Sequence, residues 1–260
     1  MLASERQRLI CEKLQRDGQV LVSELAVEFH VSDETIRRDI NALNDANRLR
    51  KVHGGAIPVK DNHPEPSYKV RAVTNRDTKR KLGVYAASLI QDNDSVVFGA
   101  GVTTDEILSA IRNVSNVTLL ITSVSALTTL LQKQLDGHFT GQIIFLGGQI
   151  DPEYSCAMGT MTNQLLETFS VDKCFISATS ISCEGVHLYN LDDGIFCETA
   201  IRRSAQVYIL GESSKFGKKT LYKICDLDAV HHLITDGDIP LTLSMKKALS
   251  QAGIQLHVVE

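Results

Sequence analysis

Apolar residues first recur at helical spacing near the start of the chain, then give way to short apolar runs alternating with amphipathic segments. Ile36, Ile40 and Leu43 predict a helix with one buried stripe. Ser32 is placed to cap its first free N–H groups, and Asp33 and Glu34 put negative charge at its positive end. At about 100° per residue, Glu34, Arg38 and Asn41 fall opposite the stripe, with Thr35 and Arg37 flanking that exposed face on its two sides. Just upstream, Leu25 and Phe29 predict a short helix over 24–30 capped by Ser23. Ile10 and Leu14 predict an earlier one, opened by a Ser4/Gln7 capping box and stopping near Asp17 and Gly18. Two short amphipathic helices joined by so tight a turn form a helix-turn-helix, whose second helix enters the DNA major groove. Residues 49–58, with Gly54 and Gly55 at the centre, read as a two-stranded hairpin, the wing of a winged helix.

Beyond 58 the pattern changes. Residues 60–67 are polar, proline-bearing and aperiodic, as in a stiff linker, and Leu82, Ala86 and Ile90 mark a helix within 74–90. Strand-like runs at 96–98, 117–122, 143–146, 173–178, 207–210, 232–235 and 255–259 then alternate with helical stretches at 106–111, 126–135, 195–203 and 243–252. Between 146 and 173 the pattern reads as a loop. Such alternation predicts a mostly parallel sheet covered on both faces, with ligands at the carboxyl ends of its strands. The predicted division is a winged helix over 1–58, a linker over 59–73 and an α/β domain over 74–260.

The loops after the strands are therefore the candidate ligand site. Gly99, Gly101, Thr103 and Thr104 follow the first strand and open a helix, where glycines admit a phosphate to backbone N–H groups and threonines add donors. Thr122 and Ser123, and then Gly147 and Gly148, hold equivalent positions after the next two strands. Lys215, just after a later strand, supplies an ammonium suited to a phosphate. Asp193 and Glu198 lie on the helix between, Asp193 beside Asp192 at its start, where capping is the simpler account, and Glu198 either a surface helical residue or one that orients a ligand hydroxyl.

Charge changes the picture only when the chain is divided. The net charge is −4, but residues 1–60 hold ten Lys and Arg against nine Asp and Glu, near +1, and the remainder seventeen against twenty-two, near −5. DNA binding would thus rest on locally placed cations and weaken steeply with salt. Arg38, Glu34 and Asn41 are expected to read base edges. Arg37, Thr35, Arg50, Lys51 and His53 are expected to hold phosphates, with Ser32 at the head of the helix joining this DNA-facing set. Cys11, Cys156, Cys174, Cys183, Cys197 and Cys225 form no C-x-x-C pair, so neither zinc nor a disulfide framework is expected, and no cofactor. Cys183 and Cys197 flank a candidate ligand loop. No apolar run approaches the ~18 residues of a membrane span, and the chain opens on a charged helix, so a soluble, cytoplasmic protein is expected.

The motifs also resemble a known family. Thr35-Ile36-Arg37-Arg38-Asp39 and His53-Gly54-Gly55-Ala56, with Glu24-Leu25-Ala26 and Val31-Ser32, are similar to the signature runs of DeoR-type bacterial transcription regulators. Further on, Gly101-Val102-Thr103-Thr104, Gly147-Gly148 and Ser214-Lys215-Phe216 resemble the family's effector domain. Two runs depart, with Thr122-Ser123-Val124 where T-N-S is expected and Glu212 in place of an aspartate. The resemblance implies a winged helix-turn-helix followed by an α/β sensor similar to ribose-phosphate isomerases. It implies too a repressor of a carbohydrate operon, released from double-stranded operator DNA by a phosphorylated sugar. Symmetric operators would make it a homodimer or homotetramer. A second reading is a sugar-phosphate isomerase or deaminase carrying a DNA-binding head, drawing acid and base from Asp192, Asp193, Glu198, Glu212 and Lys215. A third is an architectural DNA binder without effector, against which the long α/β domain argues.

Overall fold

The computed structural model describes residues 2–17, 19–45, 48–52, 54–57, 65–237, 239 and 242–260. It divides into two compact units, Met1–His63 and Pro64–Glu260.

In the first unit, helices α1 (Ala3–Asp17), α2 (Val22–Glu28) and α3 (Asp33–Asp45) pack with a small antiparallel sheet of β1 (Val20–Leu21), β2 (Arg50–Val52) and β3 (Gly55–Ile57), ordered β1-β3-β2. Ile10, Leu14, Leu25, Ile36, Ile40, Leu43 and Leu49 form its core. The stripe expected on α3 is thus the buried one. Gly54 turns the wing at φ 82°, and a Cβ on Gly55 would lie 2.0 Å from the Val20 carbonyl oxygen, so β1 can join β3 only because glycine stands there. Two caps differ from expectation. α1 already begins at Ala3, so Ser4 lies inside it, and α2 begins at Val22 with no side-chain cap, because Ser23 is within its first turn.

In the second unit, α4 (Tyr68–Val73) and α5 (Arg76–Ala87) precede β4 (Ser95–Phe98), α6 (Val102–Ala110), β5 (Thr118–Ile121), α7 (Val124–Leu135) and β6 (Gln142–Phe145). There follow β7 (Gln149–Asp151), β8 (Cys156–Met158), α8 (Thr160–Glu167), β9 (Val171–Ser177), β10 (Ser180–Ser182), β11 (Gly185–Leu188), α9 (Leu191–Arg202) and β12 (Ser204–Leu210). β13 (Tyr222–Cys225), β14 (His232–Asp236), α10 (Leu243–Gln251) and β15 (Gln255–Val259) complete it. Seven strands form one parallel sheet ordered β15-β14-β12-β9-β4-β5-β6. Apolar clusters lie on either side, one around Leu82, Ile107 and Phe139, the other around Ile176, Phe196 and Val207.

From β4 the chain steps outward through β5 and β6, then returns to place β9 on the other side of β4 and steps outward again. The crevice at the carboxyl ends of β4 and β9 is therefore the topological switch point, where open α/β sheets bind ligands.

Three stretches are more ordered than expected. Residues 147–172, read as a loop, contain the β7–β8 hairpin and α8, and β10, β11 and β13 form a separate small sheet. The expected linker over 59–73 lies outside the described residues as far as 64, and its remainder carries α4, belongs to the second unit and is tied down there. Tyr68 donates its hydroxyl to Asp105 Oδ2 at 2.6 Å and its N–H to the Glu153 carbonyl at 2.9 Å. Among the described residues no helix is long and apolar enough to cross a membrane.

Candidate DNA interface and candidate effector site

Ser32 caps α3, its hydroxyl accepting the Thr35 N–H at 3.2 Å and meeting the Thr35 hydroxyl at 2.9 Å. Thr35 thus spends its side chain on the cap. Glu34, Arg37, Arg38 and Asn41 are exposed on the face opposite the stripe, and Arg38 Nε reaches Glu34 Oε1 at 3.4 Å. Asp39, from the same run, is buried: it accepts Arg6 Nε at 2.5 Å and Gln7 Nε2 at 3.1 Å, so it fastens α3 to α1. This is also where Gln7 goes, in place of the expected capping box.

The wing is bonded to the helix. Lys51 donates Nζ to Asn41 Oδ1 at 2.7 Å and its N–H to Asn44 Oδ1 at 3.0 Å. Arg37 and Lys51 line a crevice of about 220 Å³ between α3 and the wing. The side chain of Arg50 and the whole of His53 lie outside the described residues. One exposed surface therefore carries Glu34, Arg37, Arg38, Asn41 and Lys51, held by a buried ion pair behind it and a lysine bridge at its edge.

The second unit holds a cavity of about 240 Å³ at the β4/β9 switch point. Gly101 and Thr103 line it from the start of α6, Ser177 and Thr179 from the end of β9, Asp193 from α9, and Lys215 from the turn after β12. Leading N–H groups of α6 have no acceptor within their own helix, and the helix end carries partial positive charge. Lys215 donates Nζ to the Ala178 carbonyl at 2.6 Å; burial pushes its ammonium below the usual lysine range, and Glu212 and Glu65 pull it back up. Asp193 donates its N–H to the capping Asn190 Oδ1 at 3.0 Å, so Asn190 is the cap of α9. Burial raises its carboxyl to about 7, Glu65 adds to the rise, and Arg71 opposes it.

Other expected members are elsewhere. Thr104 is buried and its hydroxyl donates to the carbonyls of Gly99 and Gly101 at 2.7 and 2.8 Å, bracing the turn from behind. Ser123 caps α7, accepting the Ala126 N–H at 3.2 Å, and Thr122 is buried beside it. Gly147 and Gly148 meet α8: the Gly147 carbonyl accepts the Thr162 hydroxyl at 3.0 Å, and a Cβ on Gly148 would lie 2.1 Å from that oxygen. Sheet order explains both displacements, since β5 and β6 are the strands leading away from the switch point. Glu198 is exposed and accepts the Tyr222 hydroxyl at 2.7 Å, outside the cavity lining. Of the two thiols near the candidate loop, Cys197 is buried, which pushes it well above the usual thiol range, and Cys183 is exposed. No cluster of three or more metal-ligating side chains occurs among the described residues.

Comparison with known proteins adds to this geometry. Residues 6–62 match the DeoR-like helix-turn-helix domain, and residues 74–237 match the DeoR C terminal sensor domain. The chain belongs to the DeoR family. It is a DNA-binding transcriptional regulator, with a winged helix-turn-helix ahead of a parallel α/β sensor domain. Similar relatives include the HTH-type transcriptional repressor GlcR of Bacillus subtilis, 29% identical over 100% of this chain and 98% of that protein. The lactose phosphotransferase system repressor of Staphylococcus aureus is 30% identical over 89% and 91%. Among solved structures, a D-ribose-5-phosphate isomerase in complex with phospho-erythronic acid aligns with a TM-score of 0.40 at 13% identity, covering 54% of each chain.

Within this DeoR-family sensor, sequence reasoning missed the residues contributed by α4, by α5 and by the segments that flank α4. Glu65, Arg71, Thr74, Asn75 and Lys79 all line the cavity. Arg71 donates NH1 to Glu65 Oε1 at 3.0 Å and lies 5.1 Å over the Tyr154 ring. Lys79 donates Nζ to the carbonyls of Arg71 and Thr74 and pairs with Glu212 Oε1 at 3.3 Å. Asn75 Nδ2 donates to Glu212 Oε2 at 2.5 Å. The departure at Glu212 thus concerns a cavity residue held from two sides. The missed signal was cationic: Arg71 and Lys79 lie eight apart in a stretch read as linker and amphipathic helix.

Proposed function

We propose that this regulator represses a carbohydrate operon and leaves its operator when a phosphorylated sugar occupies the β4/β9 cavity. Three cations carry the reading: Arg71, Lys79 and Lys215 converge on one cavity beside the N-terminus of α6. An oxyanion is the ligand that rewards this arrangement, while Asp193, Glu212 and Asn75 suit sugar hydroxyls. The cavity is smaller than the roughly 300–1,000 Å³ of drug-sized sites, which favours a compact effector. The relatives named as repressors, one of them of a lactose phosphotransferase system, support the same class.

Operator binding is assigned to residues 1–58 and sensing and self-association to the α/β unit, with a homodimer or homotetramer matching a symmetric operator. Such a protein acts in the cytoplasm, beside the DNA. Arg38, Glu34 and Asn41 read bases; Arg37, Lys51, Arg50 and His53 hold phosphates, with Ser32 and Thr35 presenting the helix end. The effector is bound and not converted, a reading supported by relatives that are named as transcriptional repressors.

The test is a thermal-shift screen of pentose and hexose monophosphates, followed by operator binding with each ligand found. Lys215→Ala is expected to bind operator normally while losing release. Release unchanged in that variant would remove Lys215 as the phosphate anchor, and no stabilisation by any sugar phosphate would overturn the effector class.

A further inference from the structure

We infer that Glu65 is a built-in competitor for the effector's anionic group: its carboxylate holds Arg71 in the cavity, and an incoming phosphate displaces it together with residues 65–67. The inference rests on the cavity being the effector site and says how that site is regulated.

Glu65 Oε1 accepts Arg71 NH1 at 3.0 Å and lies 3.5 Å from the Thr179 hydroxyl, so it sits on two groups that line the cavity. Both ion-pair partners are largely buried, with side-chain exposures of 14% for Glu65 and 19% for Arg71. Arg71 is nonetheless incompletely satisfied: its Nε is buried with no hydrogen-bond partner among the described residues. A guanidinium presents its N–H groups as a fork that takes two oxygens side by side. Glu65 engages that fork through NH1 alone. A phosphate, with two oxygens side by side on one centre, can take NH1 and the neighbouring NH2 together.

The carboxylates in the cavity are not equally placed to yield. Glu212 is held by Asn75 and Lys79, and Asp193 is fixed in the first turn of α9. Glu65 stands on a stretch without regular structure, ahead of α4. Its charge reaches across the cavity, raising the proton affinity of both Asp193 and Lys215. A dianion seated on Arg71 with Glu65 still in place would meet a like charge a few Å away in a poorly solvated site, which is strongly unfavourable.

The displacement has a natural limit. Tyr68 is bonded to Asp105 and to the Glu153 backbone, and Ser125 Oγ also donates to Asp105 Oδ2 at 2.5 Å, so α4 is anchored independently of Glu65. Only the residues before Tyr68 are set free. They continue directly into the chain that comes from the DNA-binding unit, so effector binding alters the tether on that unit. Coupling of this kind is reciprocal: whatever loosens Glu65 beforehand favours the effector.

The test uses the full chain, titrated calorimetrically with inorganic phosphate and with pentose and hexose monophosphates, and followed by nuclear magnetic resonance order parameters of the Glu65 and Ser67 amides. Glu65→Gln and Glu65→Ala are expected to bind about tenfold tighter than the unsubstituted protein, within the ~5–150-fold range of typical coupling between sites. Ligand should lower the backbone order parameters at Glu65 and Ser67 while those of 68–73 stay high, and in both variants positions 65 and 67 should be mobile already. Binding by the variants alone also supports displacement. Equal or weaker binding by both variants, or order parameters at 65 and 67 that rise with ligand, overturns it and leaves the effector site standing. If none of the three proteins binds any probe, the effector site and the displacement fall together.

Discussion

Asp193→Asn separates the electrostatics of the sensor from its packing. Asp193 is 9% exposed, its carboxylate accepts the Ala100 N–H, and the Cys197 thiol approaches it at 3.7 Å, weak support for a buried charge. Its pKa of about 7 stands above the ordinary 3.8, so between those values the folded chain keeps a proton that the unfolded chain has released. Stability therefore falls as pH rises from about 4 to about 7 and levels off above, the reverse of a salt-bridged carboxylate. With 3.8 unfolded and about 7 folded, linkage puts the cost of ionisation at roughly 1.7 kcal/mol at pH 5 and roughly 4 kcal/mol at pH 8. Asparagine has the same shape and no charge to pay for. The variant should thus gain about 2–3 kcal/mol over the parent between pH 5 and pH 8. Urea unfolding followed by tyrosine fluorescence measures this cleanly, because Tyr68, Tyr85, Tyr154, Tyr189, Tyr208 and Tyr222 all lie in the second unit and the chain has no tryptophan. A stability difference constant across that pH range, or a parent that gains on the variant as pH rises, would refute the reasoning.

In the DNA-binding unit, Asp39→Ala removes the acceptor of a buried ion pair and should cost about 3–5 kcal/mol. A unit of this size has only about 3–9 kcal/mol in hand, so the expected readout is lost helical circular dichroism at low denaturant together with lost operator binding; full operator affinity would contradict the anchoring role. Arg38→Ala should cost roughly 1–3 kcal/mol on operator DNA and relax preference at one base pair. Lys51→Ala should weaken operator and scrambled DNA alike and lower the salt slope by about one. Identical losses from the two variants on both DNAs would contradict the division between base-reading and phosphate-holding residues. An anionic effector should also bind the parent more tightly at pH 6 than at pH 8, by up to about tenfold, because a protonated Asp193 no longer repels it. Calorimetry at the two pH values checks this, and a pH-independent affinity in both the parent and Asp193→Asn would count against it.

Much of the protein was written locally. The spacing of Ile36, Ile40 and Leu43, the Ser32 cap and the glycines at 54 and 55 specify a helix, its buried side and a wing, because helical period, capping and turn geometry depend on residues a few positions apart. For the same reason the alternating apolar runs sufficed for a parallel α/β sheet, and Lys215 was legible as a cation following a strand. The partner of Asp39 was not legible: helical spacing puts this residue beside the stripe, but only the approach of α1 brings Arg6 to it.

Strand order was decided in three dimensions. Nothing in residues 171–177 announces that β9 pairs with β4, yet that pairing puts the Gly101–Thr103 turn on the cavity and sends Thr122, Ser123, Gly147 and Gly148 to structural positions. Glu65, Arg71 and Lys79 became cavity residues because α4, the segments that flank it and the start of α5 line the β4/β9 cavity, a juxtaposition without any sequence period. Periodicity determines which face of an element is buried; what that face is buried against, and which loops share a crevice, follows from packing between residues more than a hundred positions apart, as between Asn75 and Glu212.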